Sequence, residues 1–333
     1  MAGFKKLIEL DKRPLKGLLW AEWAELVYML FTFILIFFTY TKLHNPESMI
    51  YGRLRVLAIT LAMWGVYRMI PCRLMLMLRV TVLMALLSWW YPDTYEFNRM
   101  FPNLDHHFAT LEQQIFGCQP AFIFSKAMPW PWFSELMDLG YSIYFPIIAV
   151  VLIAFLFKKY EEFARAAFVA AASFYIYYVI YIFLPVAGPQ YYYKAVGDEQ
   201  IASGTFPDIG HYFADCQDVM ESPGYTDGIF YHLVNDAHAA GERPTAAFPS
   251  SHVGVSTILM LLALRLPTRR LFWWLMPFYV LLCLSTVYIY AHYVVDVFGG
   301  WISAALLYTL LMFVSSTGKK QGKTRSARKS KSA

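Results

Sequence analysis

Residues 271–290 read LFWWLMPFYVLLCLSTVYIY, a run of twenty positions without a charged side chain. About 20 apolar residues are enough for a helix to cross the roughly 30 Å hydrocarbon core of a bilayer. Similar runs recur outward from this one in both directions. The chain is therefore predicted to be an all-α integral membrane protein with eight transmembrane helices, at residues 21–40, 54–70, 74–91, 139–157, 166–186, 251–266, 271–290 and 293–314.

The composition also indicates that lipid is the main solvent of this chain. Hydrophobic residues make up 58% of the 333 positions and charged residues only 15%, whereas about a quarter of a soluble domain is charged. The net charge of +5 would suit a nucleic-acid partner. The basic residues, however, lie beside the spans and in the tail, so membrane topology explains them better and no nucleic-acid partner is predicted.

The distribution of charge predicts the topology. The outer loops 92–138 and 187–249 carry six and nine acidic residues, with two basic residues each. The turns between the other span ends are rich in Lys and Arg, which places both termini in the cytoplasm. Arg53 and Arg55 depart from this rule near the outer end of the second span. The predicted location is a plasma or inner membrane, crossed several times.

Four segments follow from this topology. They are a basic cytoplasmic N-terminus (1–20), two additional spans (21–73), a six-span core (74–316) and a basic cytoplasmic tail (317–333). From Lys319 onward the tail has seven basic residues and no acidic ones, so it is predicted to be disordered.

Aromatic residues in the outer loops predict membrane-interface contacts. The cluster of Trp130, Trp132 and Phe133 and the run 191–193 of three tyrosines are both expected at the headgroup level. Cys118 and Cys216 fall on the same predicted outer side. A disulfide between them is one alternative, and four unconnected thiols are the other.

The segment Tyr290-Ala-His-Tyr-Val-Val-Asp296 contains a pair of residues whose side chains are suited to catalysis. His292 and Asp296 are four residues apart, so they share one helical face. A carboxylate there can bind one imidazole N–H and leave the other ring nitrogen free to attack phosphorus or take a proton. The alternative is a structural pair, in which the two polar side chains only hydrogen-bond to each other inside the helix bundle.

His252 strengthens the chemical interpretation. It follows Ala247-Phe-Pro-Ser-Ser at the predicted outer start of the sixth span, where Pro249 and Ser250 favour a helix N-terminus with free N–H groups. Such an N-terminus binds anions. The topology places His252 and His292 at the same depth, where they would form two halves of one acid/base site.

Two histidines and one carboxylate are also the ligands of a facial-triad iron site, which keeps a metal alternative open. The preferred interpretation needs no metal and no cofactor. The remaining outer-loop histidines are predicted to have no role: His106, His107, His211, His232 and His238.

The segments Phe248-Pro-Ser-Ser-His252 and His292-Tyr-Val-Val-Asp296 resemble the second and third signature motifs of the type 2 phosphatidic acid phosphatase superfamily. The resemblance covers roughly the last two thirds of the chain. The form HYxxD, followed by Val297-Phe-Gly-Gly300, looks closest to the inositol phosphorylceramide synthase and sphingomyelin synthase branch. It implies a core of six helices.

The resemblance also implies roles for three residues. His292 would be the nucleophile that forms a phosphohistidine, Asp296 would orient it, and His252 would be the general acid and then the general base. Cations of the phosphatase branch are missing from residues 183–190 and from Ser285-Thr286. Their absence favours a phosphodiester donor over a phosphate monoester. The predicted phosphate-binding residues are Ser250, Ser251, Arg243 and Lys194.

These observations predict a membrane lipid phosphotransferase. It would move a phospho-head group from a phosphodiester glycerolipid to a ceramide-like or diacylglycerol-like alcohol. The alternative is a lipid phosphate phosphatase that uses the same site with water as the acceptor. A lipid transporter is a more distant alternative, because it would leave the pairing of His252 with His292 and Asp296 unexplained.

Overall fold

The computed structural model describes residues 6–11 and 14–329. These residues form helices and loops with no β-sheet; the one isolated β-bridge joins Leu10 to Cys72. The helices, numbered in chain order, are α1 (Trp20–Thr39), α2 (Pro46–Met69), α3 (Arg73–Asn98), α4 (Asp105–Phe116), α5 (Pro120–Ala127), α6 (Pro131–Ser142), α7 (Tyr144–Lys158), α8 (Tyr160–Phe183), α9 (Pro189–Val196), α10 (Asp198–Ser203), α11 (Ile229–Gly241), α12 (Ser251–Ala263), α13 (Arg270–Tyr288) and α14 (Val294–Lys329).

The described residues contain six helices that are long and apolar enough to cross a membrane. These are α1, α2, α3, α8, α13 and the first part of α14. The protein is a multi-pass membrane protein with an all-α fold, as the apolar runs predicted. The other two predicted spans differ from the expectation: one is broken and one is short.

The broken span is the one predicted at residues 139–157. It belongs to α6 and α7, which meet at Ile143 with a bend of 45°. Pro146 lies in the first turn of α7. Proline lacks the N–H that would continue the helix and clashes with the preceding turn, which explains a break just before it.

The short span is α12, which has 13 residues, Ser251–Ala263, where the sequence predicted 251–266. It is apolar, but at about 1.5 Å per residue it spans only part of a bilayer. Helix α12 contacts α7, α8, α13 and α14, so it lies inside the bundle.

Helix α8 is the centre of the bundle. Of the 18 residues that form its most apolar stretch, 78% are buried, against 28–39% in the other long helices. It contacts α1, α3, α7, α12 and α14. Small residues allow this close approach, because they let neighbouring backbones come together without voids: Ala166, Ala167, Ala170, Ala171 and Ala172 are all buried.

Buried ion pairs tie the two N-terminal helices to the core. Arg53 on α2 is 3% exposed and donates to Asp93 on α3 at 2.7 Å. Arg79 on α3 pairs with Glu22 on α1. A buried charge needs such a partner, since an isolated one costs several kcal/mol or more. The pairing explains why Arg53 departs from the positive-inside pattern: it stabilises a helix contact and is not a topology signal.

Short helices fill both of the loops for which an outer location is predicted. Loop 92–138 contains α4 and α5, and loop 187–249 contains α9, α10 and α11. Trp130 and Trp132 are 49% and 64% exposed, as expected of side chains that contact a membrane interface. In contrast, Tyr191, Tyr192 and Tyr193 are all buried. The interfacial belt predicted for these three tyrosines is therefore wrong, because α9 packs inside the loop assembly.

The structure also describes part of the tail, and it matches the alternative of unconnected thiols for Cys118 and Cys216. Helix α14 continues to Lys329, through most of the tail for which disorder was predicted, and residues 330–333 lie outside the described residues. Lys, Arg, Gln and Ala favour helix once a span has nucleated it. Cys118 and Cys216 are both free thiols, and the Cys216 Sγ lies 3.2 Å from the Tyr212 hydroxyl.

Candidate active site

The two signature segments meet where α12 and α14 begin. The Ser250 backbone N–H donates to the Asp296 carbonyl at 3.1 Å, which joins the start of one helix to the other directly. His252 lies in the first turn of α12, and His292 lies two residues before α14. Residues 40 positions apart in the chain are thereby held side by side.

Glycines permit this approach. A Cβ on Gly300 would lie 2.8 Å from the Ser250 carbonyl oxygen, and one on Gly299 would lie 2.6 Å from the ring of Phe248. Real Cβ atoms do not come so close to backbone, so no other residue fits at Gly300 without displacing α12. The Gly-Gly pair in the third motif thus has a packing reason.

The two imidazoles face each other. The His292 Nε2 lies 3.4 Å from the His252 Nδ1. The His252 ring also packs against Tyr141 and Tyr144, with ring centroids 4.7 and 4.5 Å away. The His252 ring thus contacts two aromatic neighbours on one side, and its Nδ1 points toward His292 on the other.

His292 is oriented mainly by a backbone carbonyl. Its Nδ1 lies 2.8 Å from the Ala247 carbonyl oxygen and 3.4 Å from Asp296 Oδ2. A carbonyl can only accept, so Nδ1 carries the proton and donates it to Ala247. This tautomer leaves the Nε2 lone pair free and directed toward His252.

The environment keeps His292 neutral. Burial lowers the pKa of His292 to about 4, although the hydrogen bond to Ala247 and the charge of Glu242 oppose the fall. His292 is 3% exposed, so little water reaches it to stabilise the imidazolium. At neutral pH its contact with Asp296 is therefore not an ion pair, because the ring carries no charge.

Asp296 is fully buried in the first turn of α14. Its Oδ2 accepts the Tyr293 backbone N–H at 2.8 Å, so this carboxylate also binds the turn that leads into its own helix. Its Oδ1 has no hydrogen-bond partner in the part of the chain that the structure describes. Asp296 thus holds the His292–Tyr293 segment through both the backbone and the ring.

A second carboxylate, Asp105 on α4, supports the loop before α9 and the third motif together. It accepts the Ala187 and Gly188 N–H groups at 2.6 and 2.8 Å, and the Tyr293 hydroxyl at 3.0 Å. Gly188 has a φ of 95°, which a side chain would oppose. The sequence offered no signal for Asp105, because these partners lie 82 or more residues away.

A cavity of about 760 Å³ opens at His252. Its walls are mainly apolar side chains of α3, α7 and α8, from Met77 to Tyr91 along α3. Its polar end is formed by Tyr141, Ser251, His252, His238 and Glu242. An apolar volume with a polar, histidine-bearing end suits an amphiphile.

Two residues at this polar end were not identified from the sequence. His238 on α11 is one of the histidines for which no role was predicted, yet its ring lies 5.5 Å from that of Tyr141, which also contacts His252. Glu242, directly after α11, accepts the Tyr91 hydroxyl at 3.1 Å. The sequence did contain a signal for them: His238 and Glu242 are four residues apart, a spacing that puts both on one helical face, and they lie shortly before the second motif.

The predicted phosphate-binding residues have different placements. Ser250 is fully buried and caps α12 by accepting the Val253 N–H at 3.3 Å, whereas Ser251 lines the cavity. Arg243 donates to the Glu242 carbonyl at 2.6 Å. Burial, and then Glu242, raise the pKa of the Tyr191 hydroxyl while Arg243 opposes the rise, so Arg243 lies near Tyr191. Lys194 is exposed on α9 and does not line the cavity.

No group of three or more His, Cys, Asp or Glu side chains is arranged to hold a metal ion within residues 6–11 and 14–329. His292 lies between the other two groups. Its Nε2 faces His252, and its Nδ1 faces Asp296. The arrangement places a second imidazole beside the unprotonated Nε2 of His292.

Comparison with known proteins gives one match. A family model described as the PAP2 superfamily matches residues 106–310, which is more than half of the chain and includes both signature segments. No curated protein and no solved structure match significantly.

Proposed function

The chain belongs to the PAP2 superfamily, whose members are phosphatases or phosphotransferases, and from that premise we propose that it is a lipid phosphotransferase. It would move a phospho-head group from a phosphodiester glycerolipid to a ceramide-like or diacylglycerol-like alcohol. The observation that carries this proposal is the His252–His292 contact at the end of an apolar cavity with no Lys or Arg among its described lining residues.

The proposed reaction has two steps. In the first, the His292 Nε2 attacks phosphorus, the bond from phosphorus to the diacylglycerol oxygen breaks, and His252 protonates that oxygen. In the second, His252 takes the proton of the acceptor hydroxyl, whose oxygen attacks phosphorus and breaks the phosphorus–nitrogen bond. Free His292 is regenerated, and the head group is now esterified to the acceptor.

The geometry of the two rings supports a ring movement during this cycle. Two nitrogens 3.4 Å apart leave no room for a phosphorus atom and its oxygens between them. Substrate must therefore displace one imidazole. His252 faces the open cavity and His292 is held by Ala247 and Asp296, so His252 is the ring expected to move.

Charge supports a diester over a monoester. A phosphate monoester approaches two negative charges at neutral pH and needs more than one cation, whereas a diester carries one. None of the described residues that line the cavity is Lys or Arg, and Arg243 lies next to the lining residue Glu242. The buried Arg53 and Arg79 are already paired with Asp93 and Glu22.

The rival function is a lipid phosphate phosphatase, in which water replaces the acceptor alcohol. The same two imidazoles serve both reactions, because only the second nucleophile differs. His238 and Glu242 can bind a water molecule or an alcohol hydroxyl equally well, so the choice of transfer rests on the absence of Lys and Arg among the described residues that line the cavity.

We also propose that the site faces the extracytoplasmic side, with both termini in the cytoplasm. The two acidic loops contain α4 and α9, which contact the third signature segment at Tyr293, and α11, whose His238 lines the same cavity as His252. Labelling of single cysteines in intact cells tests this: substitutions near Asp218 should react with a membrane-impermeant thiol reagent, and substitutions near Arg269 should not.

The first experiment is lipid chromatography of purified protein in detergent, incubated with labelled phosphatidic acid, phosphatidylinositol and a ceramide. Transfer of a head group to ceramide by wild type, but not by His292→Ala, is the expected result. His211→Ala, an exposed loop histidine outside the cavity, is the matched control and should retain activity.

Release of free phosphate from phosphatidic acid alone would replace the transferase with the phosphatase. Movement of lipid across vesicles without turnover of any substrate would instead support the transporter. Equal activity of wild type and His292→Ala would exclude His292 as the nucleophile.

A further inference from the structure

Glu112 is a buried carboxyl group that the proposed reaction does not use. It lies on α4, seven residues after Asp105 and therefore on the same helical face, and both side chains are 0% exposed. Helix α4 contacts the start of α14 with this face. A carboxyl group is rarely buried without a specific partner.

The partners of Glu112 are the first backbone groups of α14. Its Oε1 accepts the N–H of Val294 and, at 3.2 Å, the N–H of Val295. The first N–H groups of a helix have no acceptor within the helix itself. Glu112, from an outer-loop helix 182 residues away in the chain, supplies that acceptor immediately after His292.

The second oxygen of Glu112 faces a different environment. Its Oε2 is buried without a hydrogen-bond partner among the described residues, as is the Oδ1 of Asp296. Burial, and then the nearby Asp296 carboxylate, raise the pKa of Glu112 to about 8. A protonated Glu112 still accepts through Oε1 and adds no second negative charge beside Asp296.

We propose that Glu112 is a positioning residue for His292. By holding the first N–H groups of α14, it ties the His292–Asp296 segment to α4 and sets the distance from the His292 Nε2 to His252. The proposal rests on the proposed function for its kinetic test, but the position of the His292 ring is measurable without turnover.

Three variants separate hydrogen bonding from charge and size. Glu112→Leu removes the acceptor and should lower kcat by about 100-fold, with a much smaller change in KM, because a displaced nucleophile loses its alignment. Glu112→Gln keeps an acceptor oxygen of the same reach and should stay close to wild type. Glu112→Asp keeps the carboxyl group but is one methylene shorter, so it should fall between them.

The matched control is Glu135→Leu. Glu135 accepts the N–H groups of Phe230 and Tyr231 at 3.2 and 3.0 Å, so it binds the start of α11 as Glu112 binds the start of α14. Both Leu variants should lower the thermal midpoint. With labelled histidines, the imidazole NMR signal that disappears in His292→Ala should shift in Glu112→Leu and not in Glu135→Leu.

Two outcomes would overturn the proposal: wild-type kcat and an unshifted His292 signal in Glu112→Leu, or equal impairment in Glu112→Gln and Glu112→Leu. If Glu112→Leu does not fold, Glu112→Asp and Glu112→Gln are compared instead. A lower kcat in Glu112→Asp than in Glu112→Gln supports the proposal, and equal kcat values overturn it. Failure of the proposed function is distinct, because the wild type itself would then transfer no head group to ceramide, whether or not Glu112 positions the His292 ring.

Discussion

His292 owes its chemistry to two neighbours of different kinds. The Ala247 carbonyl accepts from Nδ1 and fixes the tautomer, and burial removes the water that would stabilise a charged ring. Asp296 is a second neighbour of Nδ1 at 3.4 Å and also binds the Tyr293 N–H. A neutral, oriented imidazole is what an attack on phosphorus requires.

The lowered pKa of His292 predicts the acid limb of the activity profile. The ring is neutral above its pKa of about 4, so kcat/KM should not fall on account of His292 until the pH approaches that value. An unperturbed histidine would lose activity below about pH 6.5. The measurement is kcat/KM against pH in detergent. If the kcat/KM of the wild type declined at about pH 6.5, and Glu242→Gln had the same profile, the result would contradict a buried, neutral His292.

Substitution of Asp296 tests its role beside the nucleophile. Asp296→Asn retains an oxygen for the Tyr293 N–H but removes the charge that stabilises a positive His292 ring during phosphoryl transfer. We expect kcat to fall on the order of 100-fold or more, with nearly unchanged lipid binding, because the charge beside the ring is removed while Ala247 still holds the tautomer and the fold is unchanged. Kinetics with a lipid-binding assay distinguish the two effects. Equal loss of kcat and binding would indicate a structural role.

Helices α12 and α14 form the site because their N-termini touch. The backbone bond from Ser250 to Asp296 and the glycines at 299–300 allow this contact, and Tyr177 on α8 packs against Gly254 from the other side. Side chains of ordinary size at these positions would separate the two histidines. The element contact, and not either motif alone, sets the 3.4 Å distance.

Adding one methyl group at this contact should disable the enzyme. The Cβ of Gly300→Ala would meet the Ser250 carbonyl at 2.8 Å, and a backbone atom cannot rotate away. Overpacking of this kind costs about 1–3 kcal/mol, so we expect a lower thermal midpoint and loss of most activity.

Gly65→Ala is the control for this substitution. Gly65 lies in α2, and a Cβ added there would have no atom within 4 Å, so alanine should be neutral or stabilising by up to about 1 kcal/mol. Calorimetry and turnover assays on both variants provide the comparison. Wild-type activity in Gly300→Ala would show that the helices can separate without consequence.

The whole bundle combines a central helix, a cavity and an outer cover. Helix α8 holds the long helices together, α4 and α9 contact the third signature segment at Tyr293, and α11 lines the cavity at His252. The cavity extends from His252 between α3 and α7. This arrangement presents an apolar volume and a polar, histidine-bearing end to the same molecule, which suits an amphiphile.

Filling the cavity away from its polar end should alter chain-length preference. Ala149 on α7 lines the apolar part, so Ala149→Phe should lower activity on long-chain donors more than on short-chain donors. Ala58→Phe is the control, because Ala58 is exposed on α2 and does not line the cavity. Activity against a donor series of increasing acyl length is the measurement. An equal loss for all chain lengths would mean that the cavity does not hold acyl chains.

Local sequence patterns were sufficient for most of the spans, the outer loops and the family motifs, since hydrophobic runs and charge bias act over a few turns of helix. They also predicted a site at His252, His292 and Asp296, which the structure brings together, while the catalytic roles stay a prediction. The partners of these residues depended on contacts between distant segments: the Ala247 carbonyl, Asp105, Glu112, and the residues His238 and Glu242 at the cavity. Burial of the tyrosine run 191–193 and the break at Ile143 were likewise decided by packing. Periodicity shows which face of a helix is apolar, but only the packed bundle determines what that face contacts. The bundle also decides which polar groups can be buried, because the free energy of a buried polar group depends on its hydrogen-bond partners.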